Sequence, residues 1–106
     1  MEKIKAFHIL NHGEKKGALK IAKLIRTTSA LVINYGLFGK GAYAHYFKNI
    51  NKKIFKNEPM VIFKIDSKKI TNKECKPYNL ILIEGDQEED MAPIEILEFR
   101  NVPGIK

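Results

Sequence analysis

Gly36-Leu37-Phe38-Gly39-Lys40-Gly41-Ala42-Tyr43-Ala44-His45-Tyr46 places three of the chain's seven glycines within six residues and then runs into aromatic side chains. How this stretch is read decides the fold. Glycine reaches positive φ or admits close approach of a backbone or a ligand, and a lysine between two glycines puts a cation beside freed N–H groups. An anion, phosphate above all, is the natural guest; the plain alternative is a tight turn between strands with a solvated lysine. The order GxxGxG is not the GxGxxG dinucleotide fingerprint, and Gly41 after Lys40 rules out a Walker A loop. From Ala42 the chain is expected to run briefly extended and then form a helix over about His45 to Phe55, with Tyr46, Phe47, Ile50 and Ile54 on one face.

Upstream, Lys3 to Leu10 is a nearly continuous apolar run, the pattern of a strand buried on both faces, with His8 inside it and His12-Gly13 closing it. Glu14 to Arg26 carries Ala18, Ile21, Ala22 and Ile25 at helical spacing, with lysines on the other face. Thr27-Thr28-Ser29 ends that helix, and Ala30 to Asn34 reads as a short strand feeding the glycine turn. Downstream, Asn57-Glu58-Pro59 breaks the second helix and Met60 to Ile65 is a strand. Asp66 to Pro77 reads as a polar connection, extended near Ile70. Tyr78 to Ile83 is a strand, Glu84 to Pro93 an acidic loop, and Ile94 to Phe99 a last strand before Val102-Pro103-Gly104. The sum is an α+β domain with two early helices and a mixed or antiparallel sheet.

A chain of 106 residues, 44% apolar and 29% charged, is sized for one core and one domain. No window approaches the roughly 18 consecutive apolar residues of a membrane-spanning helix, and Met1-Glu2-Lys3-Ile4-Lys5 lacks the apolar core of a secretory signal, so a cytoplasmic protein without membrane contact is expected. The single cysteine, Cys75, has no Cys or His at metal-ligand spacing nearby; no metal is expected. The net charge of +7 is unevenly placed. Residues 1–79 carry 17 Lys or Arg against 5 Asp or Glu, and residues 80–106 carry 2 against 7. Lys15, Lys16, Lys20 and Lys23 with Lys52, Lys53 and Lys56 would form a basic face suited to a polyanion. Seventeen of the nineteen basic residues are lysine, whereas sequence-specific readers of nucleic acid lean on arginine.

Three separated pieces together resemble the ADP-ribosyltransferase superfamily, loosely its DarT-type nucleic-acid-modifying branch. Phe7-His8-Ile9 ahead of a helix is similar to the family's aromatic-His motif. Gly39-Lys40-Gly41-Ala42-Tyr43-Ala44 is similar to its glycine-rich strand with a tyrosine. Ile94-Glu95-Ile96-Leu97-Glu98-Phe99 followed by Val102-Pro103 resembles the late strand that presents the catalytic glutamate. The resemblance implies a small ADP-ribosyltransferase-like fold that takes NAD as substrate, in a toxin or phage effector, with nucleic acid or a host protein as acceptor.

It also implies roles. His8 would hydrogen-bond a ribose hydroxyl of NAD, Tyr43 would stack on the nicotinamide ring, and Glu95 would hold the ribose 2′-OH and steady the cationic transition state. Gly39 and Gly41 would admit the dinucleotide, and Lys40 would meet its pyrophosphate. His12 competes with His8 for the motif position, and Glu88 or Glu89 with Glu95. Leu10 stands where the family commonly has Thr or Ser, and Pro93, two before Glu95, does not support arginine-directed transfer. Without the resemblance, His8 is a hydrogen-bonded core histidine, Tyr43 a core aromatic and Glu95 a solvated carboxylate. A non-catalytic basic binding or inhibitor protein on the same scaffold is the alternative. A transferase acting on 2′-phosphorylated RNA would want arginines, and Arg26 and Arg100 are the only two.

Overall fold

The structure, a computed structural model, describes residues 2–10, 15–36, 38–75, 80–86, 88 and 90–105, with the side chains of 15, 16 and 72–75 left out. In chain order the elements are β1 (Lys3–Ile9), α1 (Lys15–Thr28), β2 (Ala30–Val32), β3 (Asn34–Gly36) and β4 (Gly39–Tyr46). After two 3-10 turns, Phe47–Asn49 and Lys53–Phe55, come β5 (Met60–Asp66), a third turn at Ser67–Lys69, β6 (Ile70–Cys75), β7 (Leu80–Ile83), β8 (Met91–Pro93) and β9 (Glu95–Arg100). The main sheet runs β6-β7-β4-β1-β5-β9, with β3 beside the start of β4, and β2 pairs β8 in a second, two-stranded sheet. Every ladder is antiparallel. The class is α+β, with one α-helix among the described residues.

The second helix expected over His45 to Phe55 is not formed. The extended stretch continues to Tyr46, because β4 lies between β7 and β1 and its backbone bonds to both neighbours. Its side chains alternate: Ala42 and Ala44 enter the core beneath α1, while Tyr43 and His45 line the other side. Beyond Tyr46 the β-branched Ile50 stands between Asn49 and Asn51, residue types that prefer turns to helix interiors, and the chain makes two single 3-10 turns. The polar connection expected from Asp66 to Pro77 holds the edge strand β6, which pairs β7 with two register shifts. Part of the acidic loop is a strand too, since Met91–Pro93 pairs with Val32, Leu31 and Ala30.

The helix stops where a left-handed residue takes over. Ser29 has φ of 53° and its N–H donates to the Ile25 carbonyl at 2.7 Å, a closing bond of the αL type. The carbonyl of Ser29 then accepts from Ile94 N at 2.9 Å, which ties the helix end to the start of β9. Glu14 and His12-Gly13 lie outside the described residues.

The sheet separates two cores. On one face Ala18, Ala22 and Ile25 of α1 pack with Ala6, Ala42, Ala44, Val61, Phe63 and Ile65. On the other, Phe7, Ile9, Met60 and Ile62 pack with Ile50, Phe47 and Phe55 from the 3-10 turns. Alternation along β1 and β5 produces this division: consecutive residues of a strand point to opposite faces, so a run apolar at every position must be covered twice. The outer edge of the sheet on one side is β9, whose pairing with β5 slips between Ile62 and Phe63.

Candidate functional site

β1 and β4 share only two paired positions, Ala6 with Tyr46 and Phe7 with His45. Past them the strands part, and the gap opens into a cleft of about 500 Å³ lined by His8, Ile9, Tyr43, His45, Ile54, Phe55, Glu58 and Leu80. A side chain bridges the gap in place of the ladder. His8 Nδ1 lies 2.6 Å from the Tyr43 carbonyl oxygen. That oxygen only accepts, so Nδ1 carries the proton, and in the neutral ring the lone pair sits on Nε2.

Tyr43 is held at both ends. Its ring lies against Gly36, where an added Cβ would come within 2.7 Å of Tyr43 Cζ. Its hydroxyl donates to the Gly39 carbonyl at 2.6 Å and accepts from Phe38 N at 3.0 Å. The hydroxyl thus closes the glycine turn, and Tyr43 lines the cleft where its carbonyl meets His8. Gly39 has φ of 112°, in the region that favours glycine. At Gly41 a Cβ would meet Leu82 Cδ1 at 2.6 Å and the Ile83 carbonyl at 2.7 Å. Gly39 thus serves the hairpin and Gly41 the β4–β7 contact.

Lys40 alternates to the other side from Tyr43. Its ammonium pairs with Asp90 at 2.9 Å and lies 5.4 Å from the centre of the Tyr35 ring. The hydrogen bond to Asp90 holds its pKa above the ordinary lysine value. The lysine expected to meet a pyrophosphate is paired here with the acidic segment that follows β7.

Glu95 is not in the cleft. It pairs across the sheet with Lys64, at the end of β1 opposite to His8, and its Oε1 accepts from Lys3 Nζ at 2.8 Å. Five residues of strand separate Lys3 from His8, about 17 Å at roughly 3.3 Å per residue. The hydrogen bond from Lys3, with its charge second, holds the Glu95 carboxyl below its ordinary pKa. Glu88 is exposed, its N–H donating to Asp86 Oδ1 at 2.8 Å. Glu89 and His12 lie outside the described residues.

The cleft holds two groups that the sequence reading did not propose. His45 stacks on Phe7 with ring centres 5.1 Å apart and planes 21° from parallel, and Phe55 packs against both rings. Glu58 is the carboxylate among the lining residues. Its segment is pinned by Asn101, a left-handed residue with φ of 59° whose Nδ2 donates to the carbonyls of Glu58 at 3.1 Å and Lys56 at 3.3 Å. The signal for His45 is its spacing of two from Tyr43, which places both on one face once β4 is read as a strand.

The expected basic face is divided. Lys20 and Lys23 project from α1, and Lys52, Lys53 and Lys56 from the turns on the opposite side of the sheet; the side chains of Lys15 and Lys16 are not described. The cleft lies with the second group. No helix among the described residues is long and apolar enough to cross a membrane. In comparisons with known proteins no family model matches this chain, and no curated protein or solved structure matches it significantly.

Proposed function

We propose that the protein binds NAD through the His8 cleft and acts as an ADP-ribosyltransferase in which Glu58, rather than Glu95, supplies the carboxylate. The observation that carries this reading is the meeting of His8 and Tyr43 in one cleft whose other walls, Glu58 apart, are flat or apolar: His45, Phe55, Ile54, Ile9 and Leu80. Such walls suit a planar cationic ring, and the imidazole beside them suits a ribose hydroxyl. As nicotinamide departs with the electron pair of its bond to the ribose C1′, that carbon becomes electron-poor. The Glu58 carboxylate at the cleft is the group that would steady it. The acceptor's nucleophile then forms the new bond to C1′ and gives its proton to a base, for which Glu58 and His8 are placed.

A second reading, a non-catalytic binding protein, draws on a different observation. Lys40 and Glu95, two of the groups that the resemblance assigns to NAD, are engaged by Asp90 and Lys3.

Nicotinamide release and calorimetric NAD binding by the wild type, Glu58→Gln and Glu95→Gln separate the two. The transferase reading expects release that falls about 100-fold or more in Glu58→Gln and is unchanged in Glu95→Gln. NAD binding without release in any acceptor mixture would establish the binder. Absence of NAD binding would sink both the ligand and the transferase.

A further inference from the structure

On the same face as the His8 cleft a second concavity of about 400 Å³ is lined by Ile50, Asn51, Phe55, Lys56, Met60 and Arg100. Phe55 is a wall common to the two. Their floors are adjacent as well, since Ile9 of the first and Met60 of the second are paired across β1 and β5. We propose that this second cleft is a binding site for a phosphate-bearing anion, gripped by Lys56 and Arg100.

The chemistry of the lining supports this. Two cations from different elements face one hollow, Lys56 after the second 3-10 turn and Arg100 at the end of β9. Arginine offers a planar fork that matches two phosphate oxygens, and lysine adds a point charge. The rest of the wall is Ile50, Phe55 and Met60, which keep water from one side of the anion and so strengthen both contacts, and the Asn51 amide is a further donor. Asn101, the residue after Arg100, donates to the Lys56 carbonyl and so ties together the two backbone segments that carry the cations.

Glu98 limits the site. Its carboxylate takes Arg100 Nη2 at 2.9 Å and Nε at 3.5 Å. That pair orients the guanidinium while leaving its Nη1 outside the pair, and it places a negative charge beside the incoming anion. An anion therefore competes with Glu98 for Arg100, and removing the Glu98 charge strengthens binding. Placing the pyrophosphate of NAD here, on the far side of Phe55 from the nicotinamide, rests on the reading above; the anion site itself does not.

The test is calorimetric titration of inorganic pyrophosphate into the wild type, Lys56→Gln, Arg100→Gln, Glu98→Gln and, as a control on the opposite face, Lys23→Gln. All four positions are at the surface, and a thermal melt checks that each variant is folded. One saturable site is expected, weakened about tenfold by Lys56→Gln and by Arg100→Gln, the loss of one charge-assisted hydrogen bond. Glu98→Gln should tighten it severalfold and Lys23→Gln leave it unchanged. Equal weakening by Lys23→Gln and Lys56→Gln, or no saturable binding even by Glu98→Gln, would overturn the site. NAD titrated in parallel keeps the two readings apart. Pyrophosphate binding without NAD binding retains the anion site and removes NAD, whereas NAD binding that pyrophosphate does not affect, by a protein with no saturable pyrophosphate site, does the reverse.

Discussion

The two faces of the sheet are covered by different means, and the difference locates the candidate chemistry. One face lies under α1, whose 14 residues bring a continuous apolar stripe to Ala6, Val61 and Phe63. The other lies under two single 3-10 turns that contribute Ile50, Phe47 and Phe55 and little more. A long helix seals a sheet. Short turns cover it in patches, and both clefts open where the patches end, on either side of Phe55. The same contrast holds for charge: lysines on α1 sit over a closed core, whereas Lys56 stands at a cleft.

If this division is real, substitutions on the two faces should have opposite signatures. The largest stability effect belongs to the sealed face. Phe63→Ala empties a fully buried site beneath α1 and should cost about 3–5 kcal/mol in urea unfolding, while leaving NAD and pyrophosphate affinity of the folded fraction unchanged. Phe55→Ala should do the reverse. Its ring is partly exposed and packs on Phe7 and His45, so its loss should cost only about 1–2 kcal/mol, yet it removes the wall shared by the clefts and should weaken both ligands at least severalfold. Equal affinity losses for the two variants would break the comparison.

The smallest effect is expected at Glu95. Its carboxyl pKa is lower in the folded chain than in the unfolded one, so the pair with Lys3 contributes stability that is complete above the unfolded value and disappears as the pH falls through the folded value. Glu95→Gln should therefore lower the urea midpoint slightly at neutral pH and not at all below the carboxylate range. A loss that persists in acid would mean that the side chain is held by something other than charge. Because the pair is exposed on both sides, added salt should shrink the neutral-pH loss.

Local signals were legible and distant ones were not. β1 and β5 are nearly continuous apolar runs and α1 has a clear helical period, and the structure places all three within a few residues of the sequence reading. The end of β4 is ambiguous in the sequence because Tyr46, Phe47, Ile50 and Ile54 fall at spacings that fit a helix as well as consecutive 3-10 turns, and only the neighbours β1 and β7 decide between them. β8 looks like loop in the sequence because its partner β2 is about 60 residues earlier in the chain, a pairing that no local window contains. The candidate site divides in the same way. His8 and Tyr43 sit in strands that local pattern revealed, and they meet. Glu58 stands in the sequence only as part of a helix-breaking Asn57-Glu58-Pro59, and its backbone at the cleft is held by Asn101, 43 residues away. Glu95 was placed in the right strand, but the side of the sheet at which it ends depends on the register with β5 and on Lys3, 92 residues earlier.

β9 bears on how copies of the chain meet one another. A strand with an open edge offers its backbone groups to any other strand, which is the usual route to edge-to-edge aggregation. Here that edge carries Glu95, Glu98 and Arg100 in a strand of six residues, and the slip in register against β5 interrupts its regular pleat. A second molecule docking on it would find the backbone groups out of step where the register slips, and a register that sets Glu98 across from Glu98 or Glu95 would also oppose like charges. The edge that carries the acidic residues of the late strand is thereby also the one that discourages the sheet from growing.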